Sequence, residues 1–269
     1  MAEMTGSGDR APARRNDPDA DLWTQLRRFT PARIGLGRAG SSLPTRALLD
    51  FDLAHARTRD AVHAAFDADA VVRELRASGF GEAAVVSSRA RDRMEYLLRP
   101  DLGRKLSEES CDRLKGSAVQ RSCFLIVIAD GLSATAPARH AIPLLQELRA
   151  TECFSTSGTL QNVTVVVANR ARVALGDEIG QILGAEAVVV LIGERPGLSA
   201  PDSLGVYLTW APRAGRTDAE RNCISNVRPE GLPCREAARR LGYLLGEARR
   251  LRLSGVALKD DSEARPRME

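Results

Sequence analysis

Two short stretches hold side chains whose types and spacing suit ligand chemistry. Gly193-Glu194-Arg195-Pro196-Gly197 sets a carboxylate beside a guanidinium in a turn fenced by glycines and a proline. Asn222-Cys223-Ile224-Ser225-Asn226 gathers small and amide-bearing side chains, a surface suited to hydrogen-bonding a polar ligand. Neither is a self-sufficient catalyst. A cysteine nucleophile needs a neighbouring base, and His55, His63 and His140 show no spacing to Cys223 that points to a dyad. Walker A, Gly-x-Ser-x-Gly and His-Glu-x-x-His patterns are missing from the chain. The five cysteines, 111, 123, 153, 223 and 234, are odd in number and form neither Cys-x-x-Cys nor a zinc spacing, so reduced thiols and no structural metal are expected. Gly35-x-Gly37-x-x-Gly40 has the glycine spacing of a dinucleotide fingerprint. That fingerprint needs a strand before it and a helix opening at its last glycine; Thr30-Pro31-Ala32-Arg33 and Ser41-Ser42-Leu43-Pro44 supply neither, so a loop feeding a helix is expected.

These residues need elements to position them. Ala187–Ile192 is an unbroken apolar run, which reads as a strand buried on both faces of a parallel sheet. Glu194 and Arg195 then stand just beyond its carboxyl end, where ligands bind in open α/β sheets. The same rhythm predicts strands over Cys123–Ala129, Val163–Ala168 and Leu204–Trp210, with helices over about 139–149, from Leu175 to a stop at Gly184, and over Cys234–Leu253. Alternation of this kind predicts an α/β, Rossmann-like parallel-sheet domain with right-handed crossovers in the C-terminal half. Ala211–Asn226 reads as a long polar loop. Asp130, after the first of these strands, reads as an Asx turn or helix cap.

Ahead of that domain the sequence reads as mainly helical. Short helices are expected over Leu22–Phe29 and Val71–Gly81, a longer one from Arg46 to about Phe66 with Thr45 as its cap, and another over Leu102–Leu114. Ala83–Ser87 and Arg93–Leu98 read as extended, and this half is hard to place in one sheet with the strands of the C-terminal half. The expected organisation is a leader over 1–21, a helical region over 22–118, the α/β domain over 119–258 and a polar tail over 259–269. The leader lacks the apolar core of a signal peptide.

Composition narrows the function classes. The 269 residues are 43% apolar, enough for a real core, and no run approaches a membrane span. Formal charge is +4, which raises nucleic-acid binding. The excess sits in one helix: six arginines at 235, 239, 240, 249, 250 and 252 against Glu236 and Glu247 give 6 − 2 = +4. With only 4% aromatics there is no stacking platform for single strands. A solvated or partner-facing arginine face is expected, without nucleic acid or membrane as partner.

Six segments in order then carry a resemblance: Thr30–Gly40, Arg99-Pro-Asp-Leu-Gly-Arg104, Ala129-Asp-Gly-Leu-Ser133, Gly176-Asp-Glu-Ile-Gly-Gln-Ile-Leu-Gly-Ala185, Gly193–Leu198 and Cys223-Ile-Ser-Asn226. From about Leu22 to Ala257 the chain resembles the small (light) subunit of ethanolamine ammonia-lyase. The resemblance implies an adenosylcobalamin-dependent radical lyase that converts ethanolamine to acetaldehyde and ammonia. It implies a large-subunit partner, a (β/α)₈ barrel holding the substrate, in a hetero-oligomer. It places cobalamin contacts of this subunit on Val173, Glu194 and Cys223, with catalytic acid–base residues on the other chain. The cytoplasm is the expected location, because residues 1–21 lack the apolar stripe of an encapsulation helix; a protein-shelled microcompartment is the second choice. A stand-alone nucleotide-binding α/β enzyme is the alternative function.

Overall fold

The computed structural model describes residues 18–116, 124–151 and 163–262. Cys123, Cys153, most of the leader and most of the tail lie outside the described residues. Two compact units divide between Ala54 and His55.

In the first unit a helix α1 (Pro18–Leu26) and a 3₁₀ turn (Arg27–Phe29) lead through a loop into helix α2, Thr45–His63, which continues into the second unit. The Gly35–Gly40 stretch is that loop. Arg27 ties it down, donating from Nε to the Ile34 carbonyl at 3.0 Å.

In the second unit the elements follow as α3 (Ala68–Ala77), β1 (Ala84–Ser87), α4 (Arg93–Leu98), α5 (Glu108–Gly116), β2 (Phe124–Ala129), α6 (Thr135–Arg149), β3 (Val163–Asn169), α7 (Leu175–Leu183), β4 (Ala187–Gly193), β5 (Leu204–Trp210), β6 (Arg221–Val227) and α8 (Cys234–Leu251). The six strands form one sheet in the order β1-β3-β2-β4-β5-β6. The first four are parallel, and every residue of β2 and β4 is buried, as their unbroken apolar runs require. Alternate side chains divide two cores. Ile126, Ile128, Val165 and Val189 pack with α3, α6 and α8, whereas Leu125, Val127, Val166 and Val190 pack with α5 and α7. The helices that follow β2 and β3 therefore lie on opposite faces. Chain order also reverses about β2, and such a reversal opens a crevice at the carboxyl ends of the strands.

Several expectations are corrected. β5 and β6 pair antiparallel, so the sheet is mixed; Pro196 and the short excursion to Ser203 turn the chain straight back without a crossover helix. β1 joins the sheet beside β3, although it comes from the half judged hard to place there. Arg93–Leu98 is helical, because the Asp92 carboxylate caps it by accepting from the Glu95 amide at 2.8 Å. The last part of Ala211–Asn226 is strand β6. Its buried residues are Arg221, Ile224 and Val227, a spacing of three where alternation would give two, with a register shift in the pairing opposite Leu204 and Val206. Asp130 makes no local cap and instead joins two strand ends.

β6 is held from beneath by a buried ion pair. The Arg221 guanidinium donates to both Asp177 oxygens at 2.7 Å, and also to Thr209 Oγ1 and the Arg216 carbonyl at 2.9 Å. Burial works against the charge on Arg221, yet the Asp177 carboxylate holds its pKa above the ordinary arginine value. Replacing Asp177 by Ala strands that charge and is expected to cost about 3–5 kcal/mol, read as a lower melting temperature. Converting both partners to apolar residues, Asp177→Leu with Arg221→Met, should recover most of the loss. A double variant no more stable than Asp177→Ala would show that the pair does not act as a unit.

Candidate functional site

The carboxyl ends of β2, β3 and β4 are drawn together by backbone contact. Gly193 ends β4 so close to the turn after β2 that a Cβ there would fall onto the carbonyl oxygens of Asp130 and Ser133. The Leu132 amide donates to the Gly193 carbonyl at 2.9 Å. Gly131 reaches this contact at φ +56°, a region that glycine enters without steric cost. Asp130, 4% exposed, closes the other side. Its Oδ1 accepts from the Ala171 amide just after β3 at 2.9 Å, and its Oδ2 faces Arg93 Nη1 at 3.3 Å. Arg93 also donates to the Gly131 carbonyl at 2.7 Å. Burial raises the Asp130 pKa, opposed by the Ala171 amide and Arg93.

Between these turns lies a cleft of about 430 Å³, lined by Tyr96, Gly131, Leu132, Arg172, Val173, Ile192, Gly193, Glu194, Arg195 and Tyr207. Its size falls within the range of small-ligand sites, about 300–1,000 Å³. Two of the three residues named from sequence, Val173 and Glu194, line it together. The third, Cys223, does not; it is an exposed residue of β6, paired across the ladder with Tyr207, which does line the cleft. β6 also supplies the donors that aim Glu194. Ser225 Oγ donates to Glu194 Oε1 at 2.6 Å, while Ser203 Oγ at 2.5 Å and the Asn226 amide at 3.2 Å donate to Oε2. The two stretches that suggested ligand chemistry in the sequence thus meet in one hydrogen-bonded unit.

Sequence reasoning passed over Tyr96, Arg172 and Tyr207. Tyr96 is fully buried, donates its hydroxyl to the Ala171 carbonyl at 3.0 Å, and lies beneath the guanidinium of Arg172, 4.4 Å from the ring centroid. The Arg99–Arg104 motif supports this stack. A Cβ on Gly103 would come within 2.9 Å of the Tyr96 ring and 3.0 Å of Arg172 Cγ, and the Arg172 amide donates to the Gly103 carbonyl at 2.8 Å. The signal was a glycine in a motif, which does not reveal what packs on it.

The strand ends therefore define an α/β chain with a polar, partly cationic cleft at the place where open sheets take ligands. The family model for ethanolamine ammonia-lyase light chain (EutC) matches residues 20–259, and the chain belongs to that family. It is 58% identical over 239 residues to the ethanolamine ammonia-lyase small subunit of Rhodopseudomonas palustris, covering 88% of this chain and 89% of that protein. The Xanthomonas campestris small subunit is 53% identical over 249 residues, 91% of this chain and 90% of the relative. The Azotobacter vinelandii small subunit is 54% identical over 259 residues, 95% of this chain and 92% of the relative. No helix among the described residues is long and apolar enough to cross a membrane.

The environment of Cys223 makes a direct prediction. Packing around its sulfur raises the thiol pKa and the Glu194 charge adds to the rise, while a hydrogen bond with Tyr207 opposes both. Alkylation follows the thiolate fraction, so the pH midpoint of Cys223 alkylation should lie above that of an ordinary cysteine. Tyr207→Phe, which removes the stabilising hydroxyl, should move it higher still. Peptide-level alkylation rates across pH measure both, and a midpoint at or below the ordinary value contradicts the assignment.

Proposed function

We propose that this chain is the small subunit of an adenosylcobalamin-dependent ethanolamine ammonia-lyase, which converts ethanolamine to acetaldehyde and ammonia by a radical route. Its partner in the hetero-oligomer is a large (β/α)₈-barrel subunit that holds the substrate, and its cellular location is the cytoplasm. The observation that carries this reading is the family match over residues 20–259, together with a cleft at the strand ends that holds no nucleophile–base pair. The reversal of chain order about β2 supports a Rossmann-like reading of the parallel half.

The chemistry of the lining fits the rim of a corrinoid, which carries carboxamide groups that both donate and accept. A cleft of about 430 Å³ takes one edge of so large a group, consistent with a subunit that completes a site. Glu194 supplies an oriented acceptor. A carboxylate offers about four lone-pair sites, and Ser203, Ser225 and the Asn226 amide occupy three of them, leaving one for a carboxamide N–H. Val173 offers an apolar wall at the head of α7. Cys223, beside Tyr207, extends the contact along β6. Adenosylcobalamin, when bound, supplies homolysis of its cobalt–carbon bond; this chain binds, orients and shields from water. Glu194 and Cys223 carry no acid–base role, and proton transfer belongs to the large subunit.

The isolated chain should show no turnover of ethanolamine with adenosylcobalamin, and a coupled assay for acetaldehyde that reports turnover by this subunit alone refutes the division of labour. Glu194→Gln in the reconstituted complex turns an acceptor into a mixed donor and acceptor facing two hydroxyls. Cofactor Kd should rise roughly five- to tenfold, the scale of one hydrogen bond, with the fold retained and a modest fall in melting temperature from the weakened bonds to Ser203, Ser225 and Asn226. An unchanged cofactor titration removes Glu194 from the site.

A further inference from the structure

Among the described residues, Arg93 and Glu194 beside the cleft each have several partners within the chain. Arg93 donates from Nε to the Val62 carbonyl and from Nη1 to Asp130 and the Gly131 carbonyl, with only its buried Nη2 left over, and Glu194 accepts from three donors. Arg172 differs. Among the described residues its guanidinium makes one hydrogen bond, a long 3.4 Å donation from Nη2 to the Tyr96 carbonyl. Its Nε is buried and donates to nothing, and no described carboxylate pairs with it. Arg195, exposed on the facing turn, likewise lines the cleft without a described carboxylate partner.

Arg172 is nevertheless held in place. The Tyr96 ring lies under its guanidinium at 4.4 Å, and Gly103 leaves the space its stem occupies. Holding an arginine still and desolvating part of it, without an acceptor, disfavours the free chain. An arriving oxygen acceptor offsets that cost, and a planar guanidinium already fixed by stacking loses little further freedom on binding it.

We propose that Arg172 is the fixed donor of this cleft, taking an oxygen acceptor at the corrinoid's edge, either a carboxamide carbonyl or a phosphodiester oxygen. Arg195 is the second cation on the opposite wall. The inference rests on the reading of the cleft as the corrinoid-facing surface, and it adds to Val173, Glu194 and Cys223 a residue from the β3 end, positioned by Tyr96. Both oxygens suit a guanidinium, and the phosphodiester adds charge assistance.

The test is absorbance titration of the reconstituted two-subunit complex with cyanocobalamin and, separately, with dicyanocobinamide, which lacks the nucleotide and its phosphodiester. Arg172→Met should raise the cobalamin Kd roughly ten- to hundredfold, the span of one to a few hydrogen bonds to a charged group. Arg172→Lys, which keeps the charge and loses the planar fork, should fall between. Equal weakening of both ligands assigns the acceptor as a carboxamide, and weakening of cobalamin alone assigns the phosphodiester; both support the proposal. Wild-type affinity in both Arg172 variants, with Glu194→Gln still weakened, overturns it and leaves the cleft reading standing. If Glu194→Gln and the Arg172 variants all bind like wild type, the cleft reading falls as well. Should Arg172→Met fail to assemble, Arg172→Lys decides alone: a raised Kd supports the role and a wild-type Kd overturns it.

Discussion

The site depends on one close approach, the backbone of Gly193 against the carbonyls of Asp130 and Ser133. No side chain fits there. Because β4 ends against the turn that follows β2, the chain leaves both strands at one point, and Glu194 emerges beside Gly131 and Leu132. Asp130 ties the same point to the end of β3 through the Ala171 amide, which brings Arg172 and Val173 in from the other side. Three turns, far apart in sequence, are thereby locked by contacts that leave little room for adjustment.

The remaining polar groups work as braces around that lock. Asp177 beneath β6 anchors Arg221, and this end of the strand is further tied by Asn222, which donates to the Gly255 and Leu258 carbonyls. The other end of β6 is then placed to donate from Ser225 and Asn226 to Glu194. A buried arginine at one end of this edge strand and the cleft carboxylate held by its other end are in this way linked through β6. The arrangement explains how a strand with so few buried side chains is kept in register beside β5.

Legibility in the sequence followed the strength of the apolar pattern. β2, β3 and β4 are runs of β-branched and aliphatic residues, and their existence, their burial and the placing of Glu194 just beyond β4 could be read, whereas their order in the sheet could not. β6 could not, since its buried positions are an arginine, Ile224 and Val227, and a polar edge strand looks like a loop. α4 was missed because its six residues are too short for a helical period, although Asp92 three residues ahead of Glu95 carried the capping signal. Strand direction at β5 is a property of the connection more than of the strand. Within the site, a charged residue in a glycine-fenced turn stood out, whereas Tyr96 and Arg172 depend on what packs above Gly103, which no local spacing encodes.

The central claim is that the turns after β2, β3 and β4, with β6, form the face this subunit turns to the corrinoid. Hydrogen–deuterium exchange of the reconstituted two-subunit complex, with and without bound cobalamin, measures this most directly. The account predicts slowed exchange, on this chain, concentrated in peptides covering residues 130–133, 171–175, 193–196 and 222–226, together with slower labelling of Cys223. Unchanged exchange in all four segments, with protection confined to other parts of the chain or to the partner, would contradict it.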